Sequence, residues 1–419
     1  MMMEHRGPSA RNQDCFSPAS SRVLTLGSEK EQRRPRILDR TLSRVPTVQQ
    51  SFSAQAINTN PVTCFIDTDQ TKIDEFAERI LKETNAGMSC LNLYLGHRLG
   101  LFRTIADSGP VTSIELSRAT NCSERYLREW LGCMAAGGYL DHDPGTDRFS
   151  LPPEHAVVLL DRDSAAYTAP KVAYIQSFAS VLDRLAEAFR SGGGVPYESY
   201  GPGFVDALGW GNRTLFVNDY LARWIPAVPG LRDRLAAGGR VLEVGCGVGW
   251  SSIALALGFP RARIDAIDAD GESIAQARRN SEEAGVAERI AFCVGSMEES
   301  PLEGPYDLAT AFDTVHDLAH PVKALRRMRE VLAPDGSALI ADEKVGETLE
   351  ENSNFFGHLM YNFSVLHCLP QAMATPDSAA TGALMSQSRF RGYALEAGFS
   401  RVDVLPIESP FWRFYRLTP

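Results

Sequence analysis

The sequence predicts an α/β fold, a doubly wound sheet with a smaller helical domain ahead of it, and three observations carry the prediction. Residues 240–260 read RVLEVGCGVGWSSIALALGFP: an apolar run rich in β-branched residues, a glycine-dense turn, then an apolar run at helical spacing. Beyond it, strand-length apolar runs alternate with helical periods as far as residue 341, which implies a parallel sheet covered on both faces. Before it, residues 67–151 read as helices followed by a hairpin. At 419 residues and 44% hydrophobic content the chain has room for two or three domains.

Taken in order, residues 1–66 are rich in Ser, Arg, Gln and Pro without a hydrophobic period, and read as a disordered extension. Residues 67–160 form a winged-helix domain. Ile73, Phe76, Ile80 and Leu81, then Leu91, Leu93, Leu95, Leu99 and Phe102, mark two helices with apolar faces. Shorter helices follow over Ser113–Thr120 and Ser123–Ala136, each opening on a serine able to cap it, and a hairpin turns at Asp143-Pro144-Gly145. Residues 161–235 read as a helical connector and substrate lid: a helix over Ser164–Arg190, a glycine- and aromatic-rich connection over Ser191–Gly211, and a helix over Asn212–Leu231. Tyr197, Tyr200, Phe204 and Trp210 either wall a pocket or cover core surface. Residues 236–419 carry the main sheet, with helices at 273–284 and 322–332 and strands at 290–294, 306–311 and 338–341. VDVLPIE and FWRFYRL close it as an antiparallel edge hairpin.

The chemistry concentrates at the central turn. Gly245, Gly247 and Gly249 let the chain reverse and bring a ligand against bare backbone. Trp250 stands where a dinucleotide fingerprint needs its third glycine. Glu243 at the strand end would repel a pyrophosphate but suits an ammonium and a sulfonium, as in S-adenosyl-L-methionine. Asp268, at the tip of the next strand, is placed to accept from a ribose diol. Ser296 and Met297 follow the third strand, where an adenine would lie, and Asp313 at the end of the fourth joins the candidate cofactor set. His316 and Asp317 stand beside the topological switch, the usual ligand crevice of such sheets. His316 and His320 are four apart, yet Pro321 pushes its predecessor out of helical conformation and no third ligand is obvious, so no metal is expected.

Composition narrows the function classes. A net charge of −10, and nine basic against thirteen acidic residues over 67–151, argue against nucleic acid even though Arg125 and Arg128 occupy the would-be recognition helix. No run approaches a membrane span, and eight scattered cysteines without a Cys-x-x-Cys pair suit a reducing, cytoplasmic setting. Monomer and homodimer both stay open.

With these residues in view, the sequence resembles the class I S-adenosylmethionine-dependent methyltransferases, and within them an actinobacterial-type group with an N-terminal winged helix. The resemblance runs from about residue 67 to 419 and rests on ERYLREWL, LPPEHAVVLLDRDS, VGCGVGWSSIALA, TAFDTVHD, LHCLPQAM, SAATGALM and FWRFYRL. It implies S-adenosylmethionine bound around Glu243, Gly245, Gly247, Asp268, Ser296 and Met297, although many relatives carry aspartate where Ser296 stands. VHD at 315–317 is similar to the His-Asp element of winged-helix O-methyltransferases, which implies His316 as general base, and Asn212 resembles an upstream asparagine of those enzymes. The expected activity is methyl transfer to a small, partly aromatic molecule on oxygen. The alternatives are a cofactor-sensing transcriptional regulator, or N- or C-methylation without a base.

Overall fold

The computed structural model describes residues 69–419, so the expected extension over residues 1–66 lies outside the described residues. The described part starts with α1 (Gln70–Arg98), which is continuous where the apolar pattern suggested two helices. Then come α2 (Leu101–Ser108), α3 (Ser113–Thr120) and α4 (Glu124–Ala136), followed by the hairpin β1 (Asp141–Asp143) and β2 (Arg148–Ser150). Phe102, Ile105, Leu116, Leu127, Leu131 and Met134 pack between these elements as one buried core. The Trp130 Nε1 donates to the Asn92 carbonyl (3.0 Å) and ties α4 to α1. Thr112, not Ser113, caps α3: its hydroxyl accepts from the Glu115 N–H while the Glu115 carboxylate accepts from the Thr112 N–H. Glu115 also takes both terminal nitrogens of Arg148 at 2.8 and 2.9 Å, which fastens the wing to α3 and lowers its pKa to about 2.

The connector is more broken than its sequence suggests. After α5 (Pro153–Leu160), the span expected as one helix is a 3₁₀ turn at Ala169–Val172, then α6 (Ala173–Ser180) and α7 (Leu182–Ser191). The first half of the glycine-rich stretch expected as a loop is irregular apart from a 3₁₀ turn at Tyr197–Tyr200, but its second half folds into α8 (Pro202–Leu215), with Pro202 in the first turn, where its missing N–H costs nothing. A π-helical segment, Phe216–Trp224, continues it. Tyr220 and Trp224 on this segment are fully buried against the main sheet.

α9 (Leu231–Ala237) leads into that sheet, built from β3 (Arg240–Val244), α10 (Trp250–Gly258), β4 (Arg263–Asp268), α11 (Gly271–Glu283), β5 (Ile290–Val294), β6 (Tyr306–Phe312), α12 (Pro321–Val331) and β7 (Leu332–Glu343). α13 (Phe355–Phe363), α14 (Leu369–Met373), α15 (Gln387–Glu396), β8 (Arg401–Val404) and β9 (Trp412–Thr418) complete it. Strand order is β5-β4-β3-β6-β7-β9-β8, parallel except for β9, which pairs antiparallel with β7 and with the edge strand β8. Successive residues serve opposite faces, as the period of a strand requires. Val241, Leu308 and Leu339 join the core under α10 and the π segment, while Leu242, Ala309 and Ile340 join the core under α12 and α15. From β3 the strands are added in one direction as far as β5 and from β6 in the other, so the strand order switches between the parallel neighbours β3 and β6, and their carboxyl ends open the crevice where the site forms.

Candidate functional site

At the end of β3 the chain turns through Gly245 (φ +68°) and Gly247 (φ +50°) into α10, whose N-cap is Gly249 (φ +84°). A Cβ at Gly245 would stand 2.3 Å from the Thr314 Cγ2, so β3 and the loop after β6 meet there only because the side chain is absent. Gly247 has nothing within 4 Å of its would-be Cβ and faces open space, which suits close approach of a ligand. Gly249 packs against Ala277 and Phe292 and stands outside the cavity lining. The turn borders a cavity of about 460 Å³ that Glu243, Gly245, Gly247, Asp268, Ser296, Met297 and Asp313 all line.

The two acids expected from the sequence sit in different surroundings. Glu243 is 2% exposed, and the hydroxyls of Ser251 and Ser252 both donate to its carboxylate. Burial outweighs those bonds and raises its pKa to about 7. Asp268 accepts from the Gly247 N–H (2.8 Å) and the Asp270 N–H (2.9 Å), so it also holds the glycine turn. Its pKa is raised by burial, against the pull of those two amides.

Past β5, Ser296 starts a 3₁₀ turn over Met297–Glu299, and Met297 is 1% exposed. Glu298, which sequence reasoning did not single out, lines the same cavity with its Oε2 buried and without a hydrogen-bond partner. Trp250 does likewise with its Nε1. Both carry a missed signal: each adjoins a residue already assigned to the ligand.

Asp313 leaves β6 in the left-handed region (φ +55°), its N–H bonded to the Ala341 carbonyl and its carboxylate accepting from the Asn212 Nδ2 at 3.1 Å. Asn212 lies on α8, so the connector reaches the sheet at this point. Next comes His316, in a 3₁₀ turn over Val315–Asp317 and 2% exposed. Its Nδ1 lies 2.5 Å from the Asp342 Oδ1 and 3.0 Å from the Glu343 Oε2, and its Nε2 lies 3.3 Å from the Asp317 Oδ1. Burial alone would lower its pKa, but the carboxylates of Asp317, Glu343 and Asp342 together raise it well above the usual histidine value. The ring is set behind the cavity wall, where these carboxylates favour its charged form; Asp317 lines the wall itself, its pKa raised by burial to about 6 against the opposing effect of His316. Two groups within ligand distance, Asp313/His316/Glu343 and His316/Asp317/Cys368, share this ring. His320 takes part in neither and sits instead at the start of α12.

Of the aromatic residues offered as pocket walls, only Tyr197 lines the cavity. Tyr200 and Phe204 are buried in a nest with Tyr174, Phe178 and His367, and Trp210 packs against Trp250 (5.1 Å) under the guanidinium of Arg162.

Comparison with known proteins now bears on this geometry. Residues 87–161 match the Rv2258c-like winged HTH domain, and residues 235–388 match a methyltransferase domain. The chain pairs a winged HTH domain with a methyltransferase domain. The methyltransferase domain carries the glycine turn, both acids and His316, and so contains the whole sheet side of the cavity. A ubiquinone biosynthesis O-methyltransferase of Xanthomonas euvesicatoria is 34% identical over 108 residues, covering 25% of this chain and 43% of that protein. Curated relatives at 29% to 38% identity are matched over less than half of their own length, 24% to 43%. Among solved structures, human N-acetylserotonin methyltransferase in complex with SAM superposes with a TM-score of 0.61 at 16% identity, covering 82% of this chain and 97% of that one. The mitomycin 7-O-methyltransferase MmcR superposes with a TM-score of 0.56 at 20% identity, covering 84% and 99%. These chains share the fold across both domains.

Proposed function

We propose that the protein is an S-adenosyl-L-methionine-dependent methyltransferase acting on oxygen of a small, partly aromatic acceptor. The observation that carries this reading is the charge of the cavity: all seven charged side chains that line it, Glu198, Glu243, Asp268, Asp270, Glu298, Asp313 and Asp317, are carboxylates. That lining suits a ligand bearing an ammonium and a sulfonium, and the open backbone at Gly247 suits its close approach. In this reading Glu243 and Asp313 face the cationic part, Asp268 the diol, and Met297 packs on the base, with Glu298 supplying beside it a carboxylate in place of the aspartate that many relatives carry where Ser296 stands. Gly245 and Gly249 hold the shape of the turn.

The cofactor supplies a methyl group already activated on sulfur, so alignment and exclusion of water are the protein's main tasks. Asp317 lines the cavity and in this reading takes the acceptor's hydroxyl proton. His316, expected from the sequence to be the base, acts in this reading through Asp317: its fixed charge orients that carboxylate and stabilises the anionic form. Asn212 and Tyr197 border the acceptor end.

The domain divisions 67–160, 161–235 and 236–419 belong to the same reading, supported by the extents of the two matched family models. No helix among the described residues is long and apolar enough to cross a membrane, which supports a cytoplasmic setting. On α4, Arg125 pairs with Glu129 (2.7 Å) and Arg128 with Glu124 (2.6 Å), an arrangement that disfavours a DNA-reading role. Ile73, Phe76 and Ile80 form an exposed apolar row on α1 that supports a homodimer.

Calorimetry with S-adenosylmethionine and S-adenosylhomocysteine, followed by an acceptor screen with phenols, amines, protein and nucleic acid, tests the reading. A folded protein that binds neither cofactor form sinks it, and methylation of macromolecules alone overturns the acceptor class. A salt-steep shift of genomic DNA without any turnover favours the regulator instead.

A further inference from the structure

A second concavity, of opposite charge, lies in the winged-helix half. It measures about 240 Å³, and its charged or potentially charged lining consists of His97, Arg103 and Arg162, with no carboxylate among the lining residues. This is unusual in a chain of net charge −10. The nearest carboxylate to Arg103 is Asp107, at 4.0 Å, and Arg162 pairs with no carboxylate among the described residues. The His97 Nε2 is buried and has no hydrogen-bond partner. α2 begins at the same place, and its N-cap, Gly100, offers no side chain to its first-turn amides. Phe102 and Leu159 form the apolar floor, and Tyr167 closes the edge.

We propose that this concavity binds a small oxyanion, a carboxylate or a phosphate, carried on an apolar body. The Arg162 guanidinium supplies a forked donor and Arg103, whose Nη2 already donates to the Leu160 carbonyl (3.1 Å), its remaining N–H groups; the buried imidazole nitrogen and the uncapped amides complete the shell, and the floor takes the body. Neither matched domain description nor the cofactor cavity accounts for these groups. Occupancy reaches the methyltransferase half by direct packing. The Arg162 guanidinium lies 4.4 Å over the Trp210 ring, and Trp210 packs at 5.1 Å on Trp250, which lines the cofactor cavity. A ligand that draws Arg162 towards itself therefore changes the surroundings of both tryptophans.

The test uses the full chain at low salt, titrated with inorganic phosphate, phenyl phosphate and benzoate by calorimetry and tryptophan fluorescence. The expected result is saturable one-site binding of phenyl phosphate or benzoate, the tighter of the two identifying the oxyanion. Binding should weaken at least tenfold in Arg162→Gln and in Arg103→Gln, while both variants keep wild-type affinity for S-adenosylhomocysteine as proof of folding. Arg162→Lys, which keeps the charge but not the fork, should fall between. No saturable binding of any probe, binding unchanged in both glutamine variants, or binding displaced by S-adenosylhomocysteine would each overturn the proposal.

Discussion

The His316 Nδ1 sits 2.5 Å from the Asp342 Oδ1, with each side chain 2% exposed. Asp342 comes from β7 and His316 from the turn after β6, so the contact joins two neighbouring strand ends through a buried ion pair. Removing one partner of such a pair strands the other. Asp342→Asn should cost about 3 kcal/mol of stability, the scale for breaking a buried pair, measured by urea unfolding at pH 7. Stability of that variant within about 0.5 kcal/mol of wild type, the usual range for surface substitutions, would mean that His316 finds another counterion.

The acid groups of the cavity also set an unusual pH trend. Glu243 is raised to about 7 and Asp317 to about 6, both by burial, and His316 is raised by its carboxylates. Each holds its proton more tightly folded than unfolded. Stability linked to the two acids is present below their unfolded values and declines as pH rises to about 7; that linked to His316 is lost above the ordinary histidine range. The ligand-free protein should therefore unfold at a lower temperature at pH 8 than at pH 5.5. Differential scanning calorimetry checks this, and an increase would contradict it.

Cofactor affinity should show the opposite slope. Glu243 carries its charge only above about pH 7, so affinity for S-adenosylmethionine should rise between pH 6 and 8 in wild type and stay flat in Glu243→Gln. Asp268→Ala should weaken binding by roughly 1.5–3 kcal/mol, the scale of hydrogen bonds to a charged group. Equal slopes in wild type and Glu243→Gln would remove Glu243 from the cation site.

For turnover, Asp317→Asn should lower kcat by about 10²- to 10⁴-fold, the range of general-base help, and leave cofactor affinity within about threefold. His316→Ala should lower kcat at least a hundredfold on the same scale. It should also shift the pH at which the remaining activity appears, because its charge bears on Asp317. Unchanged turnover across pH 6 to 9 in both variants would point to catalysis by proximity alone.

Gly245→Ala tests the turn. The new methyl meets Thr314 at a positive φ, so binding of S-adenosylhomocysteine should be lost and stability should fall by about 1–3 kcal/mol. Thr314→Ser in the same background removes the Cγ2 that the methyl meets and should restore part of both.

The sheet was legible because buried parallel strands announce themselves as short apolar runs: Ile290–Val294 and Tyr306–Phe312 lie within a residue of the expected spans, and β3 (Arg240–Val244) opens the expected strand-turn-helix. The connector was not. Pro202 and three glycines made α8 look like a loop, yet Pro202 is at the first turn and Gly209 is needed because Val248 lies 2.4 Å from its would-be Cβ. At the site, backbone motifs could be read along the chain, which is how Gly247 and Asp268 were found. Asp342 and Glu343 could not be assigned to His316 in this way, because only strand pairing brings β7 beside the turn after β6. His316 itself was visible as a titratable group, while its charge state depends on those long-range neighbours.

The aromatic nest has a consequence for anyone who would re-engineer acceptor choice. Phe178 and Phe204 precede the sheet in the chain, whereas Phe363 and His367 follow β7, yet their rings interlock. Tyr200 donates its hydroxyl to the Leu366 carbonyl at 2.8 Å, and the Val195 N–H bonds the Pro370 carbonyl at 2.9 Å. The packing behind Tyr197, the one nest-contacting aromatic that lines the cavity, is thus a joint made of two distant stretches of chain. A chimera that transplants residues 173–215 from a relative without residues 355–375 would carry half of the joint, and the two stretches should exchange productively only as a matched set.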